Sequence, residues 1–269
     1  MPDAPILKRV TGRTKVMFIL GDPVAHIVGT AVLNEDFFRN GVDANVSPLH
    51  VAPQDLALVL QAIRSMQNVA GFGVTIPHKV PVLQYLDGTT PRAGSIGAVN
   101  FVRREANGSL IGDNVDGVGF VTGLRRNGIE VAGRRVLQIG AGGAGRAIAF
   151  ALAEAGISHL AICNRTQAKS LELARAVAAR HPRCFAAPAG PEAAGYDLVV
   201  NTTSVGMHEG DELPADLSGL RPGAVVADVI MAPKTTALLM AAAAKGCQII
   251  RGKEMLLDQP RLVREFLSL

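Results

Sequence analysis

Two sets of residues in this chain have the types and spacing to do chemistry. The first is Gly140, Gly142 and Gly145, which give G-x-G-x-x-G within Gly140-Ala141-Gly142-Gly143-Ala144-Gly145. Between a strand and a helix, the first glycine permits a tight turn and the second lets the backbone approach a pyrophosphate. The third lets the helix pack closely on the strand. The apolar run Val136 to Ile139 supplies the strand, and the segment after Gly145 reads as a helix whose free N–H groups and positive dipole end suit phosphate. The stretch is therefore expected to hold a dinucleotide. The second set is polar. Thr75, His78 and Lys79 lie at or just past the end of a strand-like run from Val69 to Ile76 that Pro77 stops, while Asp113, Asn114 and Asp116 crowd between glycines in GDNVDG. Ligands of α/β sheets collect outside the carboxyl ends of strands, which favours such positions. Lys79 has two readings, an acid/base group or an exposed lysine at a helix start. The acidic cluster also has two, site or turn, because Asp and Asn bond their own backbone in turns.

The elements that must position these residues form two domains. At 269 residues the chain can bury two moderate cores, and because the glycine loop begins near its middle the first half needs its own sheet. Val16 to Leu20 is an apolar run stopped by Gly21-Asp22-Pro23. Leu56, Val59, Leu60, Ile63 and Met66 share one face of a helix predicted over 53–66, with Pro53 near its start. Ala98 to Arg103 and Leu110 to Gly112 read as a hairpin turning at Asn107-Gly108. In the second half a helix over 119–127 links the domains, and Leu160 to Cys163, Asp197 to Val200 and Ala224 to Ile230 read as strands. An alanine-rich helix from Thr235 to Lys245 stops at Gly246, and Gln248 to Arg251 return the chain to the first domain. The expected fold class is α/β, with one domain over 1–117 completed by 251–269 and a second over 118–250.

Composition narrows the function classes. A hydrophobic fraction of 48% with 19% charged residues is that of a globular protein. The start, MPDAPILKRVTGRTK, lacks the apolar stretch of a signal peptide, so a cytoplasmic location is expected. The apolar segments around Ala147 to Ala155 and Leu238 to Ala244 are too short to span a membrane. Cys163, Cys184 and Cys247 have no C-x-x-C spacing, so neither a disulfide framework nor a zinc site is suggested. The net charge of +4 is spread in isolated pairs such as Arg125-Arg126, and with 4% aromatic residues and no Trp there is little material for stacking bases. A basic surface suited to small anionic molecules fits better than nucleic acid.

The motifs also occur in a familiar order: GDPVAH at Gly21 to His26, GVTIPHK at Gly73 to Lys79, GAVN at Gly97 to Asn100, and GDNVDG at Gly112 to Gly117. GAGGAGR at Gly140 to Arg146, NRT at Asn164 to Thr166, NTTSVGM at Asn201 to Met207 and GKEMLLDQ at Gly252 to Gln259 follow. Nearly end to end, the chain resembles the shikimate dehydrogenase family. The resemblance implies an N-terminal α/β substrate domain, a C-terminal Rossmann domain binding NAD(P), and hydride passage in a cleft between them to or from a ring hydroxyl. It implies Lys79 and Asp116 as the catalytic pair, Asn100 and Gln259 as partners of substrate hydroxyls, and Thr75 as a further substrate contact. Asn201, Thr202, Thr203 and Ser204 match a cofactor contact. Met255 has two readings, against the nicotinamide or in core packing. Alcohol oxidation removes a hydride and a proton, and a positioned acid/base group such as Lys79 must handle the proton. At the end of Leu160 to Cys163, where an acidic residue would take the ribose of NAD, stand Asn164, Arg165 and Thr166, with Lys169 a turn further on. Arg165 and Lys169 suit a 2′-phosphate, so NADP is the first expectation. NAD stays open, because Asn164 and Thr166 can bond a free ribose and an arginine can stack on adenine.

Four positions depart from the family pattern. Where the family reads A-H-S-x-S-P, this chain has Ala25-His26-Ile27-Val28-Gly29-Thr30, and the two serines become Ile27 and Gly29. Gly73 stands for an asparagine and Met231 for a tyrosine. In the family these positions surround the substrate carboxylate, so weak activity on shikimate itself is expected. The expected substrate is a cyclic hydroxy acid, polyol or ketone whose acid is absent, modified or held by other groups, with Thr30 a candidate donor. The alternative is a catalytically impaired NAD(P)-binding regulatory protein. Ten residues follow Gln259, fewer than in the family, which is expected to alter the substrate-domain face of a monomer or homodimer.

Overall fold

The computed structural model describes residues 10–25 and 27–269. His26 and most of the N-terminal stretch on which the location reading rests lie outside them. The chain divides into two compact units, and the first takes in residues up to Thr90, Val99–Asp113 and Pro260–Leu269. The expected boundaries at 117 and 251 differ from this division, which assigns Pro91–Ala98 and Asn114–Gln259 to the second unit.

In chain order the first unit contains β1 (Lys15–Gly21), α1 (Gly29–Arg39), β2 (Ala44–His50), α2 (Leu56–Ser65), β3 (Val69–Val74) and β4 (Gly88–Thr89). After α3 (Pro91–Ile96), which belongs to the second unit, come β5 (Phe101–Arg104) and β6 (Leu110–Asp113). The strands form one sheet in the order β2-β1-β3-β5-β6-β4. β1 runs parallel to β2 and β3, while β5 is antiparallel to β3 and β6, so a hairpin extends a parallel core. Leu56, Leu60 and Ile63 are buried at helical spacing, after a single 3-10 turn that Pro53 opens. Met66 was predicted on the same face but is exposed, because its backbone has already turned extended at the end of α2. β3 stops at Val74, two residues before the predicted end. The hairpin turns with Gly108 at φ +86°, and buried Arg104 donates from Nε to the carbonyls of Ile63 and Arg64, closing the last turn of α2.

β2 was not recognised in sequence. It is an edge strand that α1 covers in part: the Asn34 side chain accepts from the Val46 N–H and donates to the Val46 carbonyl, both at 2.8 Å.

The second unit contains α4 (Asp116–Arg126), β7 (Arg135–Ile139), α5 (Gly143–Glu154), β8 (His159–Cys163), α6 (Gln167–Arg180) and β9 (Phe185–Pro188). Then follow β10 (Leu198–Asn201), β11 (Val225–Asp228), α7 (Ala237–Ala244), β12 (Gln248–Ile250), α8 (Lys253–Leu256) and the start of α9 (Gln259–Leu267). The sheet is parallel throughout, in the order β12-β11-β10-β7-β8-β9. Alternating residues feed two cores: Val136, Ile162 and Val200 pack with Ile148 of α5, whereas Leu137, Val199 and Val226 pack with Leu238 of α7. The strand order reverses at β7, so the Gly140 loop opens at the topological switch point where α/β sheets bind ligands. No helix among the described residues is long and apolar enough to cross a membrane.

Helix α4 lies tight against α5. A Cβ at Gly117 would overlap the carbonyl oxygen of Ala147, a backbone atom held by its own helix. Alanine gains roughly 1 kcal/mol over glycine in helix propensity, but overpacking against fixed backbone costs about 1–3 kcal/mol. Gly117→Ala is therefore expected to destabilise the protein, read as a lower urea midpoint. A raised midpoint would show that the helices separate freely.

Candidate active site

The first unit brings several predicted residues to the carboxyl ends of its central strands. Thr75 follows β3 directly, its N–H donating to the Leu20 carbonyl of β1 at 2.8 Å and its carbonyl accepting from His78 at 2.7 Å. That turn places Lys79 half-buried, with its carbonyl accepting from Val99, so both are built into the framework. His78 is buried with Nε2 2.8 Å from the Val51 carbonyl, which makes it a structural residue. Asn100 is buried where β3 and the hairpin meet: its N–H donates to the Asp113 carbonyl and its carbonyl accepts from Val74. The Asp113 carboxylate accepts from the Thr90 hydroxyl at 2.5 Å, a contact across 23 residues of sequence rather than a local turn bond.

Two of the four departures from the family pattern, Gly29 and Gly73, lie against one side chain, that of Ile19. Ile19, Gly73 and Phe101 are directly opposed on adjacent strands β1, β3 and β5. A Cβ at Gly73 would lie 3.1 Å from Phe101 Cε1 and 3.4 Å from Ile19 Cγ1, and a Cβ at Gly29 would lie 3.3 Å from Ile19 Cδ1. The position that looked empty in sequence is therefore occupied by the Phe101 ring. Ile27 and Thr30 are half-buried nearby in sequence. Sequence reasoning missed Ile19 and Phe101, because each looked like ordinary strand filling.

In the second unit, Asp116 is the first residue of α4, and Asn114 holds it there by accepting its N–H at 3.1 Å and donating to the Ala98 carbonyl. Gln259 donates to Asp116 Oδ1 at 3.2 Å, both residues being buried. Gly119 permits this approach, since a Cβ there would lie 3.2 Å from Gln259 Cγ.

The glycine loop is tightly made. Gly140 has φ +106°, and a Cβ on it would stand 2.5 Å from Thr202 Oγ1; one on Gly145 would stand 2.5 Å from the Gly140 carbonyl oxygen. A Cβ on Gly142 meets nothing within 4 Å, so the loop is closed beneath and open above, the cradle that a pyrophosphate requires. Gly143 and Ala144 begin α5. Asn164 accepts from the Ala141 N–H at 3.1 Å and donates to the Thr166 carbonyl, so it acts as a strut for the loop. Arg165, Thr166 and Lys169 are exposed at the end of β8 and the start of α6. Thr202 donates to the Ile139 carbonyl at 2.8 Å, leaving Thr203 half-buried and Ser204 exposed at the strand end. Met255 is buried in the α5-side core, and Met231 packs against the same cluster.

A buried carboxylate that was not singled out in sequence organises the end of β10 and β11. Asp228 accepts from the Ile230 N–H, the Thr236 hydroxyl at 2.8 Å and the Asn201 amide. Asn201 in turn accepts from the Thr203 hydroxyl at 2.7 Å, so Asp228 ties the Thr203 loop to the Met231 loop. The cysteines are free thiols, and burial pushes Cys184 up to about 11. No group of three or more His, Cys, Asp or Glu among the described residues could hold a metal ion.

A parallel six-stranded sheet with a glycine loop at its switch point, joined in one chain to a second α/β unit carrying a strand-end lysine, defines a dinucleotide-dependent oxidoreductase. The sequence pattern of the shikimate dehydrogenase substrate binding domain matches residues 19–102, and that of shikimate/quinate 5-dehydrogenase matches residues 124–205. The shikimate dehydrogenase (NADP(+)) of Rubrobacter xylanophilus is 39% identical over 255 residues, 93% of this chain and 89% of that protein. A crystal structure of a shikimate dehydrogenase with NADP+ superposes with a TM-score of 0.90 at 32% identity, covering 98% of this chain and 93% of the other. The ligand-free 5-ketofructose reductase of Gluconobacter sp. strain CHM43 gives 0.83 at 33% identity, covering 96% and 94%. The chain belongs to the shikimate dehydrogenase family, and it is an NAD(P)-dependent oxidoreductase of that type.

Burial raises the Asp228 carboxyl above its ordinary value of 3.8, with the bonds from Ile230, Thr236 and Asn201 offsetting part of the effect. The unfolded chain ionises first as pH rises, so the contribution of Asp228 to stability is present below 3.8 and is lost as pH climbs through the higher folded value. Asp228→Asn turns an NH2 group toward donors and is expected to cost about 1–3 kcal/mol. Its deficit should narrow as pH rises above 3.8, which urea unfolding across a pH series measures.

Proposed function

We propose that this enzyme interconverts a ring hydroxyl and a ketone on a neutral, polyol-like substrate, with weak activity on shikimate, and that it prefers NADP. The observation that carries the substrate reading is the packed apolar row Ile19–Gly73–Phe101, with Gly29 against the same isoleucine. A site that hydrogen-bonds a carboxylate discriminates strongly, and apolar walls forfeit that discrimination. Membership in a family that includes a reductase named for a keto sugar supports the same direction. When bound, NAD(P) supplies the hydride acceptor or donor. The residues that fit it are Gly140 to Gly145, with Arg165 and Lys169 for a 2′-phosphate and Ser204 at the strand end. Lys79 moves the proton of the reacting hydroxyl, Asp116 pairs with it in the family pattern, and Asn100, Thr75 and Gln259 take the remaining hydroxyls. Gln259 also orients Asp116 through the bond described above.

Lys79→Ala and Asp116→Asn are each expected to lower kcat about 10²- to 10⁴-fold, the usual worth of acid/base catalysis. The assay follows cofactor absorbance across cyclic hydroxy acids, neutral polyols and keto sugars. A shikimate KM and kcat/KM superior to those of every neutral compound would overturn the substrate reading. Tight NADPH binding with no turnover of any compound would shift the assignment to a regulatory protein. Arg165→Gln should reduce the ratio of kcat/KM for NADP to that for NAD by about 10- to 100-fold, the worth of one charge-assisted hydrogen bond. An unchanged ratio would remove Arg165 from cofactor choice.

A further inference from the structure

Gln138 is the one buried polar side chain in strand β7, with Val136 two residues before it and Ile162 and Val200 beside it on the neighbouring strands. Those three neighbours belong to the apolar cluster under α5. Its Nε2 donates to the carbonyl of Gly140 at 2.9 Å and to the carbonyl of Gly145 at 3.0 Å. Its Oε1 is buried and, among the described residues, has no hydrogen-bond partner. Two carbonyl acceptors fix the amide this way round, since the reverse orientation would set oxygen against oxygen twice.

An amide in this position is a poor choice for stability. A leucine of similar length would fill the layer without an orphaned acceptor. The single proton of the Thr202 hydroxyl, now shared between the Ile139 carbonyl at 2.8 Å and the Gly140 carbonyl at 3.2 Å, could turn to Gly140 because Ile139 also accepts the Thr202 N–H. What the glutamine alone supplies is a strap between the first and the third glycine of the loop. Those two carbonyls lie on either side of the segment 141–144, in which the Ala141 N–H is held by Asn164 and Gly142 borders open space. We infer that Gln138 is a positioning residue for the dinucleotide, holding the loop at its binding curvature before the nucleotide arrives, so that less ordering is lost on binding. This inference rests on the loop being the nucleotide site, and titration of the wild-type protein with NADPH and NADH checks that separately.

The test is Gln138→Leu, measured without relying on turnover. Expected are a thermal midpoint equal to or above that of wild type, a Kd for NADPH raised about tenfold by fluorescence titration, and faster amide exchange over 141–144 in the nucleotide-free protein. In steady state the KM for NADPH should rise more than kcat falls. A stable Gln138→Leu protein that binds NADPH with the wild-type Kd overturns the proposal. Gln138→Glu provides a second reading if the leucine variant folds poorly. As the acid it donates one bond to the carbonyls, and as the carboxylate it repels both. Its NADPH affinity should therefore fall with rising pH more steeply than that of wild type, and parallel pH dependences would overturn the strap.

Discussion

The carbonyl oxygen of Gly140 is the point about which the second unit is arranged. It accepts from Gln138 below and from Thr202 beside it, and it fills the space into which any side chain at Gly145 would have to project. A single atom thus makes three demands on sequence: no Cβ at Gly145, a short hydroxyl at Thr202, and a donor within β7. Strand β10 lies beside β7 through their backbone ladder, which the Thr202 N–H extends to the Ile139 carbonyl, and α5 can start where it does because Gly145 carries no side chain. The open side above Gly142 is the counterpart of this crowding below.

The first unit solves a different problem. Its three central strands end in a row whose members are isoleucine, glycine and phenylalanine, and the missing side chain of the middle one makes room for the ring of the third. Gly73 and Phe101 are therefore fitted to each other across two strands. A side chain at Gly73 would press on this ring, with its Cβ 3.1 Å from Phe101 Cε1, so the ring has to shift to admit one.

Strands β7, β8 and β10 were legible because they are short apolar runs ending at Gly140, Asn164 and Asn201, and the glycine spacing located the switch point, whereas β9 was not read as a strand. Motif order also named the family. What could not be read were contacts that join distant residues. Gln138 sits inside a run that reads as plain strand, and nothing local says that its amide spans two glycine carbonyls. Asp228 falls inside the run from Ala224 to Ile230 that reads as a strand, and nothing local says that Asn201, 27 residues away, and Thr236 bond to it. β2 was missed because serine, proline and asparagine dilute its pattern, and it forms because β1 and the Asn34 side chain take up its backbone groups. Asn164 reads in sequence as able to bond a free ribose, and what local sequence does not show is that its amide also accepts from Ala141 and donates to Thr166.

The clasp of Asn34 on Val46 has a consequence for how copies of this chain can meet. Along the outer side of β2, the Ala44 N–H is already bound to the Val42 carbonyl, both backbone groups of Val46 are held by Asn34, and Pro48 has no N–H to offer. An unprotected border strand is a template onto which a foreign strand can zip, the usual seed of intermolecular sheets. Here the template is interrupted at every second residue, so a foreign strand finds no free N–H at Ala44, Val46 or Pro48 along this border.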